Sequence, residues 1–459
     1  MGDDWKWVLR ASPSTRPILR FLPAPVQIST SRRQFTDIFS ETEGIVKVSA
    51  GDSDLLTSAS QQDLGTAFAL ATSIYGKSRL QFSGNLGYAA NGAMPAAGFR
   101  TTYSRTSDGG SSPEITLSMR QMYLPGRDSV PLLKSASLGM FDHLDVTDSL
   151  RLEYGFNYES VTFLDHLNYL SPFARATYNL SPKSSVRVAF SSGTQPGQLL
   201  ARTVEAQDSL NQDLAALAMA PRVSLADGHT RVERRESFEA SYQHVVGSRT
   251  FSMGAYHEAV SNAAMLMSGS PDILPAGDLL TQLGSGSQVF NLGSYQRTGF
   301  SGAMTQSLGD HFDVTVAAGR GGALLAGSGS VLDAAALRGS IQPVQRTWAS
   351  VKVTKTLPVT GTRVITSYGW TDFKTLMPSH MSLTDPSNLG TTQDTGWNIY
   401  IRQPLPQLPG MFGSFGRFEA TAELRNLLAQ GYLPVIVNNQ SAVLTNSPRA
   451  VRGGLSFIF

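Results

Sequence analysis

The sequence predicts an all-β fold: a large antiparallel transmembrane β-barrel of about 18 to 22 strands, with short periplasmic turns and long external loops. Two observations predict this fold. Apolar and polar residues alternate over runs of about ten residues, which is longer than the roughly five or six typical of strands in soluble proteins. The connections between these runs are alternately short and long, as they are in barrels that cross a bacterial outer membrane.

The composition agrees with a membrane barrel and excludes several other classes. Of the 459 residues, 41% are hydrophobic and 16% are charged, whereas soluble domains usually carry about 25% charged residues. The chain has no cysteine, which excludes disulfides, thiolate nucleophiles and cysteine-ligated zinc. The formal net charge of +2 is too small to predict a nucleic-acid partner. No apolar run approaches the length of a transmembrane helix.

The start of the chain is the least informative stretch. We expect residues 1–50 to form early strands or a linker and residues 51–459 to form the barrel. Residues 45–48, Ile-Val-Lys-Val, indicate a short strand. Residues 1–25 contain charges and prolines but no apolar stretch followed by a cleavage site. Because an outer-membrane protein must be exported, either the chain is numbered from a point after its signal or the membrane interpretation is wrong.

Two-faced strands follow one another from residue 66 onward. The apolar faces of the first three are Leu80, Phe82, Leu86 and Tyr88, then Phe99, Thr101 and Tyr103, then Ile115, Leu117 and Met119. The clearest strand follows Asp148, where large apolar residues from Leu150 to Tyr158 alternate with Arg151, Glu153 and Glu159. A face of large apolar groups opposite a charged face requires an apolar medium on one side and water on the other.

The last strand predicts how the sheet closes. Leu455, Phe457 and Phe459 share one face of residues 450–459, and Arg452 and Ser456 share the other. A terminal strand in lipid must be paired on both edges, because no water is present there to bind free N–H and C=O groups. We therefore expect this strand to close the barrel. The alternative is a terminal edge strand of a soluble β-sandwich.

The connections indicate which end of the barrel faces outward. Short turns follow Phe141, Leu180, Val246, Ser307 and Leu357. Long connections run from Gly193 to Arg234, Asn262 to Gln288, Gly321 to Arg346, Phe373 to Gly396 and Leu428 to Pro448. The periodicity predicts about thirteen strands from Leu133 on, about four between Ala67 and Leu124, and about one to five before them.

The tryptophans test this orientation. Trp370 ends an ascending strand and Trp397 begins a descending one, so both would lie in the outer aromatic girdle. By parity Trp348 faces the lumen together with Ser350 and Lys352. The girdle does not explain this position without a β-bulge.

Four segments resemble the barrels of TonB-dependent receptors. The clearest is the hairpin SPFARATYNLSPKSSVRVAFSSGTQP from Ser171 to Pro196, in which Tyr-x-Leu-Ser-Pro enters a short turn and Val-Arg-x-Ala-Phe-Ser-x-Gly leaves it. Residues 234–263, residues 291–319 and the stretch from Glu423 to Phe459 are similar. Each motif is loose, but their order and spacing are more specific, and the resemblance extends over roughly residues 133–459.

The resemblance implies a receptor in the outer membrane of a Gram-negative cell that binds a scarce solute outside and imports it with energy from the inner membrane. In that family a globular plug precedes the barrel, with an energy-coupling box ahead of it, and this sequence shows neither. We therefore expect the barrel portion of such a protein. A plugless porin, a surface-anchoring barrel or adhesin, and a soluble multidomain β protein are the alternatives. A barrel this wide without a plug would be an open pore unless its loops fold in.

The expected partners follow from the same interpretation. They are the lipid bilayer of the outer membrane, the barrel assembly machinery, reached through the C-terminal strand that ends at Phe459, and an energy-coupling protein if an upstream plug exists. Specificity for the solute would reside in the loops, whose sequences do not indicate which solute is bound.

Residues with catalytic or ligating chemistry do not form a recognisable site, and we predict no enzyme, no cofactor and no catalytic, cofactor-binding or metal residues. Asp142, His143 and Asp145 suggest a metal clip, but solvated charges in a turn are the preferred interpretation. Gly319, Gly321 and Gly322 are not followed by the Lys-Ser or Lys-Thr of a phosphate loop and are interpreted as loop residues. His257-Glu258 lacks the second histidine of a zinc-protease helix.

The external loop at 194–233 is the most informative connection. Leu210, Leu214 and Leu217 recur at helical spacing after Asp208-Ser209, which could cap a helix. Such a helix could fold over the mouth as a lid. The preferred interpretation is that its leucines pack against neighbouring loops.

Arginines on the predicted lumen faces could line a solute path that favours anions. They are Arg151, Arg187 and Arg363. The preferred interpretation is that they pair with Glu153, Glu239 or Glu419 across neighbouring strands.

Overall fold

Eighteen antiparallel strands pair into one closed sheet. The computed structural model describes residues 39–52, 62–75, 78–89, 96–105, 111–122, 133–194, 210–211, 213–214, 216–217, 222–270, 272–281, 288–372, 374–380, 382–384, 396–406, 416–446 and 448–459. The strands are β1 (Phe39–Asp52), β2 (Gln62–Ile74), β3 (Ser78–Ala89), β4 (Ala96–Arg105), β5 (Glu114–Met122), β6 (Leu133–Thr147), β7 (Leu150–Thr162), β8 (His166–Ser181), β9 (Ser184–Gly193), β10 (Val223–Ala226), β11 (His229–Val232), β12 (Arg234–Val246), β13 (Arg249–Ser261), β14 (Ala264–Ser268), β15 (Leu279–Thr281), β16 (Gln288–Asn291), β17 (Tyr295–Ser307), β18 (Phe312–Ala326), β19 (Ser330–Val331), β20 (Ile341–Thr356), β21 (Arg363–Trp370), β22 (Gly396–Pro404), β23 (Arg417–Arg425), β24 (Tyr432–Val437), β25 (Gln440–Thr445) and β26 (Ala450–Ile458).

The terminal strand closes the barrel, as its sequence predicts. One edge of β26 pairs with β23 and the other pairs with β1, so that Leu455 lies opposite both Ala420 and Val48. The backbone of Phe459 continues the second pairing, because its N–H donates to the Gly44 carbonyl at 2.9 Å. The ring of strands therefore has no free edge, which a bilayer requires.

The two faces of the barrel strands meet different surroundings. On the outward face Leu117, Met253 and Phe300 expose 41%, 64% and 62% of their surface. On the inward face polar residues such as Ser237 and Glu258 are buried. An apolar exterior around a polar interior, in a closed barrel with an even number of antiparallel strands, is the arrangement of outer-membrane barrels. The chain is a transmembrane β-barrel of that type.

The strand count from periodicity is confirmed. Four barrel strands, β2 to β5, occupy the stretch around residues 67–124, and thirteen follow from Leu133. The early strand predicted at residues 45–48 lies within β1. Residues 1–38 lie outside the described residues, so the division of the chain at residue 50 stays a prediction.

Short and long connections alternate with three exceptions. One is the periplasmic connection of β4 to β5, residues 106–113, which is longer than the external connection before it, residues 90–95. Two-residue turns at 148–149, 182–183 and 247–248 mark the periplasmic end. At the external end, β7 and β8 are joined by only residues 163–165. At the periplasmic end, residues 405–416 make a longer connection between β22 and β23.

Two sequence predictions are wrong about local structure. Asp142, His143 and Asp145 are not in a turn, because β6 runs on to Thr147 and pairs with β7. Gly319, Gly321 and Gly322 lie inside β18 rather than in a loop. Glycine is needed there for close approach, since a Cβ on Gly322 would collide with the side chain of Arg297.

Three external connections fold together into a second sheet, in the order β15-β16-β14-β25-β24-β19. A short helix, α1 (Ala334–Ser340), packs with it, and the side chain of Asp333 caps the helix by accepting from the Ala336 N–H at 2.7 Å. Met265, Phe290 and Leu444 belong to the apolar core of this unit. We call this sheet and α1 the external sheet. Within the described ranges, no helix is long and apolar enough to cross a membrane.

Arginine on the lipid face tests the membrane placement. Phe300→Arg puts a charge midway along β17, and we expect it to lower the free energy of unfolding in lipid vesicles by about 2–4 kcal/mol. Leu180→Arg, near the periplasmic end of β8, is the control and is expected to cost about 0–1 kcal/mol. Urea titration of vesicle-inserted protein measures both. Equal costs at the two positions would contradict the placement.

Candidate functional site in the barrel lumen

The connection between β21 and β22 folds back into the barrel. Its residues 374–380 and 382–384 contact inward-facing side chains of β8, β9, β12 and β17 and the main chain of β18. We call these residues the lumen segment. Since external connections of such barrels normally extend away from the membrane, this one requires specific contacts to hold it inside.

Apolar side chains provide the first set of contacts. Leu376 forms an isolated β-bridge with Leu324 at the outer end of β18 and joins the core of the external sheet. Met377 packs with Trp348, Ala303, Ala317 and Ala323, and Leu383 packs with Phe141, Phe173 and Ala189. The inward position of Trp348, predicted from parity, is confirmed, and its reason is this packing rather than a β-bulge.

One buried carboxylate binds the C-terminal half of the lumen segment. Oε2 of Glu239, on the inward face of β12, accepts from the Leu383 N–H at 2.8 Å, the Thr384 N–H at 3.3 Å and the Ser382 hydroxyl at 2.9 Å. Only 4% of Glu239 is exposed. A buried carboxylate must be matched by donors or a positive charge, and here main-chain amides supply the match.

Four arginines on the lumen wall bind main-chain carbonyls of the same segment. Arg175 donates to the Leu383 carbonyl at 2.8 Å, and Arg187 donates to the Thr384 carbonyl at 3.3 Å. Arg297 donates to the carbonyls of Pro378 and Ser379, and Arg235 also donates to that of Ser379. Together with Glu239, these arginines form what we call the lumen wall site.

Carboxylates on the same wall balance three of these arginines. Arg175 pairs with Glu153 at 2.6 Å, Arg235 pairs with Glu233 at 2.8 Å, and Arg297 pairs with Glu258. Both members of the Arg297 pair are buried. Because breaking a buried ion pair is strongly destabilising, we expect the wall to keep its geometry when the segment moves.

His380 adds a stacking contact. Its ring lies on that of Tyr256, with 3.8 Å between centroids and 14° between planes, and its Nε2 is 3.4 Å from Oε1 of Glu239. Burial lowers the pKa of His380 to about 3. The imidazole is therefore neutral at pH 7, and its contact with Glu239 is polar rather than ionic.

A second external connection also folds inward. The predicted helix is confirmed at Leu210, Asp213, Leu214 and Leu217. Leu210 packs against Ile45, Ala69, Ala71 and Ile458 on β1, β2 and β26. Leu210 and Leu214 therefore pack on the barrel wall, and the expectation that the leucines pack against neighbouring loops is wrong for Leu210. The predicted cap at Asp208-Ser209 lies outside the described residues.

Charge also holds this helix to the wall. Arg100 of β4 pairs with Asp213 at 2.7 Å, and Arg120 of β5 donates to the Ala216 carbonyl at 2.8 Å. The helix thus lies on the β26–β5 part of the barrel, whereas the lumen segment lies on the β6–β20 part.

The arginines singled out from the sequence have mixed partners. Arg151 lies 4.0 Å from Glu153, so that predicted pairing is present at the limit of an ion pair. Arg187 donates to Gln243 and to the lumen segment. Glu419 pairs with Arg402 at 2.8 Å and with Arg417 at 3.1 Å.

Several residues of the site were missed by sequence reasoning. Alternation places Arg175, Arg235 and Arg297 on inward faces, so parity was a usable signal for them. His380 carries no comparable signal because it lies in a loop. Asp142 accepts from Ser111 at 2.9 Å, and across the described ranges no three His, Asp or Glu side chains are grouped to hold a metal ion.

Neither a protein-family model nor a curated protein sequence matches the chain. Three of the similar solved structures are the outer membrane transporter YddB from Escherichia coli (TM-score 0.41, 11% identity, covering 93% of this chain and 67% of that one), the FrpB iron transporter from Neisseria meningitidis (0.39, 8%, 92% and 81%) and OccK1 (OpdK) from Pseudomonas aeruginosa (0.41, 10%, 91% and 98%). With TM-scores below 0.5, these likenesses carry no argument about family or function. The large closed barrel that the TonB-dependent-receptor resemblance implies is confirmed by the strand pairing itself.

Removing the charge of Glu239 tests how the lumen segment is held. In Glu239→Gln the N–H groups of Leu383 and Thr384 lose a charged acceptor, which is worth about 1.5–3 kcal/mol. We expect hydrogen exchange at these amides to accelerate at least about tenfold. Glu236→Gln is the matched control, because Glu236 is exposed on the opposite face of β12. Unchanged protection in Glu239→Gln would contradict this role.

Acid should loosen the lumen segment through His380. A free imidazole has a pKa of about 6.5, whereas His380 buried against the lumen wall has a pKa of about 3. Protonation therefore favours the released state. The equilibrium constant for binding of the segment to the wall is highest above pH 6.5 and falls by up to about tenfold per pH unit between pH 6.5 and 3. Hydrogen exchange of residues 376–384, corrected for intrinsic rates, measures this change.

The control for the acid experiment is His380→Phe, which keeps a ring for stacking on Tyr256 but does not titrate. Glu239 and Glu258 also face His380, so the difference between the two proteins isolates the contribution of the histidine. An identical pH profile in wild type and His380→Phe would refute the assignment.

Proposed function

We propose that this chain is a gated solute-uptake barrel of the outer membrane, in which its own external connections occlude the lumen. The observation that carries the proposal is the lumen segment, held inside the barrel by Glu239 and the four arginines. An 18-stranded barrel encloses more space than its wall side chains fill. Filling that space with loop residues, rather than wall residues, makes the obstruction movable.

The two inward connections support gating because they approach from different parts of the wall. The helix at 210–217 contacts β26, β1, β2, β4 and β5. The lumen segment contacts β8, β9, β12, β17 and β18. Both are held by hydrogen bonds and packing rather than by the continuous strand ladder. Displacing either one would widen a path lined by polar and charged groups, which suits a hydrated solute.

A surface-anchoring barrel is the second candidate, and one observation favours it. The external sheet has six strands and its own buried core, which includes Phe290, Leu337 and Val437. Such a unit can present a binding surface at the cell exterior without any transport. An anchor needs no gate, so conductance separates the two candidates.

The expected partners belong to this proposal. We propose that the barrel assembly machinery recognises β26 and the aromatic side chain of Phe459. An energy-coupling protein of the inner membrane would act where a plug is present ahead of the barrel.

Single-channel conductance in planar bilayers tests the gate. We expect the wild type to be mostly closed with brief openings. Replacing residues 374–384 with a Gly-Ser linker of equal length should give a steadily open channel with a several-fold larger mean current. A Gly-Ser replacement at 358–361, in the exposed periplasmic turn between β20 and β21, is the control and should leave the current unchanged.

Two outcomes would overturn the proposal. A wild type that stays open throughout would be a porin rather than a gated barrel. A linker variant that inserts normally but stays closed would show that the lumen segment does not gate the pore, and this result would favour the anchor.

A further inference from the structure

We infer that the lumen wall site binds an oligopeptide, and that the lumen segment occupies this site in cis. The inference rests on the proposed function, for which it names the class of solute. It comes from the kind of groups that the wall recognises in the lumen segment.

The wall recognises main-chain groups of the segment far more than its side chains. Arginine N–H groups bind the carbonyls of Pro378, Ser379, Leu383 and Thr384. Glu239 accepts from the N–H groups of Leu383 and Thr384. Side-chain polar contacts with the same wall come mainly from Ser382, Thr384 and His380, and all three involve Glu239.

One end of the segment is held by a backbone pairing. The Leu324 N–H donates to the Leu376 carbonyl at 2.7 Å, and the Leu376 N–H donates to the Leu324 carbonyl at 2.9 Å. This reciprocal pair is the unit of an antiparallel ladder. Peptides added to a sheet in trans gain their affinity from the same kind of main-chain bond.

A wall that supplies donors to carbonyls and an acceptor to amide N–H groups is complementary to a peptide chain. Each peptide residue other than proline carries one donor and one acceptor. Pro378 lacks an N–H, and the wall binds its carbonyl. Sugars and simple organic ions do not present carbonyls and N–H groups together along one chain.

Three side chains of the segment, at regular spacing in the sequence, pack against apolar or aromatic side chains. Met377 packs on Trp348, His380 stacks on Tyr256, and Leu383 packs between Phe141 and Phe173. These anchors recur at every third residue of the sequence. The preferred peptide therefore carries an apolar or aromatic side chain at every third position and variable residues between.

The site is not filled completely by its cis occupant. A cavity of about 40 Å³ lies between the segment and the wall, lined by His380, Ser382 and Thr384 on one side and by Arg187, Gln243 and Tyr256 on the other. Space next to an occupant held mainly by its backbone allows other side chains to be accommodated.

Fluorescence anisotropy in detergent tests the inference without any need for transport. The probe is a labelled synthetic peptide of residues 374–384, KTLMPSHMSLT. We expect the variant with the Gly-Ser linker at 374–384 to bind it at least tenfold more tightly than the wild type, whose site is occupied. A peptide that keeps Leu376, Met377, His380, Ser382 and Leu383 and has alanine elsewhere should bind within about threefold.

Two further measurements separate main-chain recognition from adventitious binding. N-methylation of the peptide at Leu383 and Thr384 removes the donors to Glu239 and should weaken binding about tenfold or more. Glu239→Gln in the linker variant should cause a similar loss, while Glu236→Gln in the same variant should cause none.

A linker variant that inserts and conducts, yet binds none of these peptides, would overturn the peptide inference and leave the gating proposal intact. Equal binding of the N-methylated and unmodified peptides would also overturn it. Peptide binding by a linker variant that remains closed would uphold the peptide site and overturn gating alone.

Discussion

Buried charge has to be matched, and that requirement determines the interior of this barrel. Glu239 is almost fully buried on the inward face of β12 and has the main chain of a distant loop as its principal partner. Arg175 and Arg297 combine a carboxylate on the wall with carbonyls of the same loop. Leaving a buried donor or acceptor without a partner costs more than forming the bond gains. The wall and the lumen segment therefore stabilise each other.

Closure of the sheet makes this arrangement possible. Because β1 and β26 pair with each other, every barrel strand has two neighbours, and period-two alternation separates an apolar outside from a polar inside. The inward charges are then confined to a space that only solvent, solute or loop residues can enter. Here loop residues enter it, and the external sheet holds the outer end of the lumen segment through Leu376.

The sequence predicts features that depend on neighbouring residues, but not contacts between residues that are far apart in the chain. Alternation is a property of neighbouring residues, so the strand count, the closing strand and the inward face of Trp348 follow from it. The inward course of the lumen segment depends on pairs such as Arg297 with Pro378, which are 81 residues apart. The error at Gly319 and Gly322 has the same origin, since the side chains that require glycine there, Trp348 and Arg297, lie on neighbouring strands.

The most direct test of this account is a disulfide between the wall and the lumen segment. Leu324 and Leu376 form a reciprocally hydrogen-bonded antiparallel pair, whose Cα atoms are typically about 5.5 Å apart, a separation that suits a disulfide. The chain has no cysteine of its own, so in Leu324→Cys/Leu376→Cys a bond can form within the chain only between these positions. The account predicts near-complete oxidation in assembled outer-membrane protein, seen as a reducible shift in gel mobility that neither single variant shows. A correctly inserted double variant whose thiols both remain free would contradict it.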